Sequence, residues 1–215
     1  MAMKRTNLRA MLALTLLAQC WAGVRCGEQP RPALGETRTS VFGLMGQGSK
    51  FVYVFDRSGS MGGGPLDAAK TELAASLQDL GETDQFQIIF YNDRPKIFHP
   101  AGAAGRLLFG NAQNKKRAAQ FIASISADGS THHESALLAA LKMQPDVIFF
   151  LTDADQPGLS PAQMARVRKW AGEARIYAIE FGSVAVAGRD NFLVRLANET
   201  GGEYKFVEVS ELGAG

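Results

Sequence analysis

From Lys50 onward the apolar residues alternate between two rhythms. Residues 51–55, 85–91, 147–151, 175–181 and 204–209 are short runs rich in Phe, Tyr, Val and Ile, the composition of strands. Between them, Leu66, Ala69, Leu73, Leu77 and Leu80 recur at helical spacing and predict a helix over 65–80. Further helices are predicted over 114–126, 134–141, 160–172 and 191–198. Pro65 suits a first helical turn, and Ser160-Pro161 reads as a cap followed by a first-turn proline. Residues 96–98, between Pro95 and Pro100, predict a short third strand, and 101–110 a loop rich in Gly and Ala.

Strand-helix alternation of this kind predicts an α/β fold: a three-layer, doubly wound, Rossmann-like sheet, mostly parallel, with helices on both faces and one short antiparallel edge strand. The run 147–151 is apolar throughout, as a strand buried on both faces requires. Right-handed crossovers and the common strand order 3-2-1-4-5-6 make the first and fourth strands neighbours at the point where the winding reverses, where such sheets bind ligands. Those two strands end at Asp56 and Asp153.

The chain before this domain differs in character. Lys4, Arg5 and Arg9 precede an uncharged span over 10–24, whose most apolar part is 11–18. A positive start, a short apolar stretch and small residues at Ala22 and Gly23 predict a secretory signal. Fifteen uncharged residues fall short of the roughly 18–20 that a spanning helix needs. An uncleaved membrane anchor is one alternative, and a lipoprotein acylated at Cys20 another, although Gln19 occupies a position where such signals take a small residue. The expected organisation is a leader over 1–26, a linker with a possible edge strand at 41–44 over 27–48, the α/β domain over 49–210 and a tail over 211–215. Both cysteines, Cys20 and Cys26, belong to the leader, so the domain must fold without disulfides.

Charge adds little. The chain carries 23 Lys and Arg against 21 Asp and Glu; the first 26 residues hold four of the positives and no acid, so the remainder stands at 19 against 21. No basic run points to nucleic acid, and Lys115-Lys116-Arg117 reads as a solvated helix start. The membrane is expected to be touched only through the leader, and a monomer is the working expectation.

The chemistry concentrates on three loops that the topology brings to the switch point: Asp56-Arg57-Ser58-Gly59-Ser60, Gly129-Ser130-Thr131 and Thr152-Asp153. Together they offer two carboxylates and several hydroxyls, a hard all-oxygen set suited to Mg²⁺, with Mn²⁺ or Ca²⁺ as alternatives, rather than to zinc or copper.

In these residues the sequence resembles the von Willebrand factor type A family, most of all its compact exported bacterial members. The D-x-S-x-S motif of that family's metal-ion-dependent adhesion site is matched by Asp56, Ser58 and Ser60, its second-loop Thr by Thr131 and its third-loop Asp by Asp153. The run from Val54 through Met61 is the most specific part, and the similarity extends over about 51–209. Ala154 departs from the Gly that the family often places after the Asp. The resemblance implies that Ser58, Ser60 and Thr131 coordinate the ion directly. Asp56 and Asp153 would act directly or through water, and an Asp or Glu carboxylate of a protein partner would complete the shell. The implied protein is an exported adhesion or interaction module, not an enzyme.

Rival readings exist. The two aspartates are also common turn and cap residues. The ion could be purely structural. Ser60 loosely mimics a hydrolase nucleophile with His132 or His133 as base, but both histidines precede Asp153, the reverse of that fold's usual order. His132 and His133 are otherwise expected to be partly exposed loop residues, Arg57 a solvated side chain and Asp155 a turn or outer-shell residue. Met45 and Met61 need no special role.

Overall fold

A computed structural model of the chain describes residues 35–100, 105–154, 158–183 and 191–213. All of them fall in Pro32–Gly215, one of two units into which the chain divides; the expected leader, with Cys20 and Cys26, lies outside the described residues, as does Asp155.

The described residues open on a hairpin, β1 (Thr37–Val41) and β2 (Leu44–Gly48), followed directly by β3 (Lys50–Asp56). Then come α1 (Gly64–Asp79), β4 (Gln85–Tyr91), β5 (Pro95–Ile97), β6 (Leu108–Phe109), α2 (Ala112–Ala123) and α3 (His133–Leu141). The rest is β7 (Val147–Thr152), α4 (Pro161–Ala171), β8 (Arg175–Gly182), α5 (Phe192–Glu199) and β9 (Tyr204–Glu208). Among the described residues no helix is long and apolar enough to cross a membrane.

The main sheet runs β5-β4-β3-β7-β8-β9, with β6 also on β4. In the numbering of the predicted strands this is the expected 3-2-1-4-5-6 order. β3 pairs in parallel with both β4 and β7, and β7–β8 and β8–β9 are parallel too. One antiparallel edge strand was expected; two are found, since both β5 and β6 run against β4.

The central strands are sealed on both faces. Phe51, Tyr53, Phe55, Phe149 and Leu151 pack toward α1, α2 and the hairpin, whereas Val52, Val54, Ile148 and Phe150 pack toward α3, α4 and α5. The predicted helical stripe on α1 is buried from Leu66 through Leu77. Ser160 and Gln163 form a reciprocal capping box ahead of Pro161, which satisfies two amides that the first turn leaves open. Lys116 and Arg117 are exposed near the start of α2, as expected, whereas Lys115 is half-buried and its ammonium donates to the carbonyls of Gln78 and Leu80 at 3.1 and 2.6 Å, closing the far end of α1.

The hairpin replaces the expected linker and edge strand over 37–48. It forms a separate antiparallel sheet laid on one face of the main one, with Val41 and Leu44 in the core. Gly46 lets it lie flat, because a Cβ there would come within 2.8 Å of Val147 and Phe149. Its turn places Phe42 at φ 49 and Gly43 at φ 77. Phe42 holds that unfavourable conformation through three contacts: its amide donates to Glu72, its carbonyl accepts from Lys205, and its ring meets Phe181 edge-on at 5.1 Å. Polar hooks fasten the strands, among them the buried Thr39 hydroxyl, which lies 2.6 Å from Ser76 Oγ.

Candidate metal centre

Asp56 closes β3, directly across from Tyr91 at the end of β4, and β7 ends beside it at Thr152. Its carboxylate is completely buried. One oxygen accepts the amide of Ser58 at 2.8 Å, and the other accepts the hydroxyl of Thr152 at 2.7 Å. The hydroxyls of Ser58 and Ser60 lie 3.2 Å apart, as alternate residues on the same side of the turn. A single 3-10 turn over Gly59–Met61 then leads into α1, with Met61 anchored in the core.

The second loop is bonded to the first. Gly59 donates its amide to the carbonyl of Gly129, and Asp128 donates its amide to that of Arg57, at 3.1 and 2.9 Å. The Arg57 guanidinium pairs with Asp128 and with the carbonyl of Ser126, and only 14% of its side chain is exposed. The expected solvated arginine is therefore a fastener between loops. Asn92, after β4, donates to the carbonyl and carboxylate of Asp128 at 2.9 and 2.6 Å, and its carbonyl accepts the amide of His132 at 3.0 Å. These bonds hold buried Thr131 on the loop that leads into α3. Gly129 is required there: its φ is +73, and a Cβ would lie 2.5 Å from Asp93 and 2.7 Å from Asn92.

Asp153 follows β7 directly and is half-buried. It is near enough to Asp56 for its charge to act on that carboxyl. Burial, and to a lesser degree this neighbour, push Asp56 from its ordinary 3.8 up to about 6, against the bonds from Ser58 and Thr152. Ala154 has a φ of 55, a left-handed conformation that suits the Gly whose place it takes.

The structure thus joins Asp56, Ser58 and Ser60 directly, brings Asp153 within electrostatic reach and ties the loop of Thr131 to the first loop. Among the described residues no three His, Cys, Asp or Glu are placed to share an ion. The donors fit a hard divalent ion only if hydroxyls complete the set, and a second carboxylate beside a buried one is the kind of charge excess that such an ion relieves.

His132 is exposed, in line with the sequence expectation, whereas His133 departs from it as a buried first residue of α3. Its Nδ1 lies 2.9 Å from the Tyr91 hydroxyl, and burial lowers its pKa from 6.5 to about 4. Thr152 stood in the third loop, but its bond to Asp56 was not foreseen, since only the strand register places it there.

Residues 51–156 match the family model described as the von Willebrand factor type A domain. The chain carries a von Willebrand factor type A domain. Human inter-alpha-trypsin inhibitor heavy chain H4 is 28% identical over 179 residues, covering 74% of this chain and 18% of the human protein. A Dictyostelium discoideum von Willebrand factor A domain-containing protein is 28% identical over 144 residues, 64% of this chain and 15% of its own length. The chain therefore spans under a fifth of these curated relatives. Among solved structures, a von Willebrand factor type A protein from Catenulispora acidiphila superposes with a TM-score of 0.64 at 19% identity, covering 78% of this chain and 41% of that one. Proximal thread matrix protein 1 of the mussel byssus, solved with a zinc-occupied MIDAS motif, superposes with a TM-score of 0.54 at 18% identity, over 76% of this chain and 42% of its own. The von Willebrand fold, with its parallel sheet between two helical layers, is thus common to chains of low identity.

Proposed function

We propose that this chain is an exported, metal-dependent protein-binding module. The observation that carries the proposal is the buried Asp56 carboxylate, set among the Ser58 and Ser60 hydroxyls and beside Asp153 at the end of the central strands. Asp56, Ser58, Ser60, Thr131 and Asp153 would hold the ion, with Mg²⁺ first and Mn²⁺ or Ca²⁺ as alternatives. The zinc in the mussel protein's motif supports a divalent ion at the matching loops. A bound ion would supply an electrophilic position that an Asp or Glu carboxylate of a partner protein takes in place of water. The chain's own part is to preset the oxygens. Ser58 and Thr152 fix the Asp56 carboxylate, and Arg57, Asn92 and Asp128 fix the second loop. Export rests on the leader over 1–26, which would be cleaved or would serve as an anchor.

The hydrolase alternative draws no support from the contacts. Ser60 pairs with Ser58, His133 turns Nδ1 to Tyr91, and His99 turns Nδ1 to the carbonyl of Ile97. A purely structural ion remains the rival.

Two measurements decide. Calorimetric titration of Mg²⁺, then Mn²⁺, into the EDTA-stripped chain should give saturable 1:1 binding, and no heat from either ion in a folded protein would sink the metal site. Capture of partners from envelope extracts should be lost in EDTA. Metal binding combined with EDTA-insensitive capture would assign the ion a structural role alone.

A further inference from the structure

Between Asp93 and Asp128 the chain carries no acid. Residues 94–127 hold six cations, Arg94, Lys96, Arg106, Lys115, Lys116 and Arg117, whereas the rest of the chain after residue 26 has 13 Lys and Arg against 21 Asp and Glu.

The fold gathers these cations along one edge. β5 pairs with β4 from Tyr91 down to Ile89, Phe98 donates its amide to the carbonyl of Ile88 at 2.9 Å, and β6 takes over at Phe86 and Gln85. The two short strands thus run down the outer edge of β4, a length of about 20 Å at roughly 3.3 Å per residue. α2 packs beside them: Lys96 Nζ lies 5.8 Å from the ring centroid of Phe121, which stands one helical turn beyond Arg117. Arg94, Lys96, Arg106, Lys116 and Arg117 are all exposed.

Among the described residues none of the six forms an ion pair. The acids of the neighbouring elements are turned elsewhere. On α1, Glu72 and Asp79 accept from Phe42 and Thr39 of the hairpin, and Asp67 lines a cavity with Phe42 and Lys205. Toward α2 the same helix offers Lys70, whose ammonium donates to the carbonyl of Ile125 at 2.6 Å. On α3, Glu134 pairs with Arg166 of α4. The two flanking acids are engaged by the loops of the metal centre: Asp93 accepts the amide of Ser130, and Asp128 pairs with Arg57. The strip also starts at that centre, since Arg94 donates its amide to Oδ1 of Asn92, the residue that holds the second loop, at 3.3 Å.

We propose that this edge is a second contact surface, on which an acidic protein lies while one of its carboxylates enters the metal centre. The joint contact rests on the reading of the chain as a metal-dependent binding module. A protein rich in carboxylates is repelled by the remainder of the domain and attracted here, so charge sets the side of the metal centre on which it docks and speeds its approach. Phe109 of β6, 53% exposed, adds an apolar anchor amid the cations. Single-stranded nucleic acid calls for successive stacking rings, and among the described residues of the strip Phe109 is the one ring largely exposed.

Fluorescein-labelled polyglutamate is the probe, with a thymidine oligonucleotide of equal charge as the comparison, each titrated with the full chain and followed by anisotropy. Polyglutamate should bind in about 20 mM salt, weaken about tenfold in about 150 mM as screening shortens, and bind more tightly with Mg²⁺ than in EDTA. Lys96→Glu combined with Arg117→Glu should weaken it about tenfold. Lys142→Glu combined with Lys169→Glu, the same charge change at exposed positions off the strip, should change it less than about twofold. No binding at low salt, or equal losses from the two pairs, overturns the proposal. Tighter binding of the oligonucleotide, abolished by Lys96→Glu with Arg117→Glu, overturns the choice of an acidic protein and assigns the edge to nucleic acid. Calorimetry keeps the two readings apart. A parent chain that binds no Mg²⁺ defeats the metal reading and the joint contact with it; intact Mg²⁺ binding with polyglutamate indifferent to the strip defeats the edge alone.

Discussion

The hydroxyl of Thr152, at the end of β7, donates to Oδ2 of Asp56 at the end of the adjacent β3, and neither side chain is exposed to solvent. Thr152→Val keeps the shape and removes the donor. At pH 7 it should cost about 1–3 kcal/mol of stability, because a buried carboxylate loses one of its two bonds. It should also weaken Mg²⁺ binding about 10- to 100-fold. Thr152→Ser should retain most of both. Urea denaturation and calorimetry check the two effects separately.

Acid should act on two buried groups with opposite sign. Asp56 rises from 3.8 to about 6 on folding, so the folded metal-free chain binds the extra proton. Its contribution favours the fold below pH 3.8 and is lost as pH rises through about 6. His133 falls from 6.5 to about 4, so its contribution is present above pH 6.5 and is lost as pH falls through about 4. Each is on the order of 3 kcal/mol, and together they should leave a shallow profile between pH 4 and 6.5. Removing one should unmask the other. Asp56→Asn should lose stability steadily on acidification across that range, and His133→Phe should gain it. Denaturation at a series of pH values in EDTA tests this; parallel profiles for the two variants would refute it. With metal present, the Asp56 proton must leave, so Mg²⁺ affinity should fall below about pH 6.

Gly129→Ala should damage the second loop. The new Cβ would meet Asp93 and Asn92 at 2.5 and 2.7 Å, at a φ of +73. About 1–3 kcal/mol of stability should be lost, together with metal affinity, since Asn92 also holds Asp128 and His132. Thermal unfolding and metal titration of the variant provide the check.

Ala154→Gly should do the reverse. Ala154 has a φ of 55, where a Cβ costs about 1–2 kcal/mol, and the greater freedom of glycine in the unfolded chain returns part of that gain. A net rise of about 0.5–1 kcal/mol is expected, measured by denaturant midpoint with an unchanged slope.

Strand order and the meeting of Asp56 with Asp153 were legible because both follow from periodicity and crossover handedness, which are local patterns plus one rule of chirality. The hairpin was not. Thr37–Val41 and Leu44–Gly48 carry glycines and polar residues, and their burial depends on Ser76, Glu72 and Phe149, far along the chain. β6 has two residues, too few for any rhythm. Arg57 and His133 were misjudged for one reason. A polar side chain reads as exposed until its partner is known, and those partners, Asp128 and Tyr91, stand 71 and 42 residues away. Ser160-Pro161 was read correctly because its partner, Gln163, lies three residues on.

The clasp between Phe42 and Lys205 joins residues 163 positions apart. Phe42 belongs to the first hairpin and Lys205 to the last strand, so the two extremities of the described chain close over one another. A polypeptide emerging from the ribosome presents the hairpin well before the edge strand that its turn grips. Closure of this face must therefore wait until Tyr204–Glu208 has emerged, and long-range closure of this kind slows folding. Any fragment that begins after Gly48 or stops before Tyr204 forfeits the same seam, even though neither cut touches Asp56. Proteolytic trimming at either extremity should accordingly loosen the molecule as a unit.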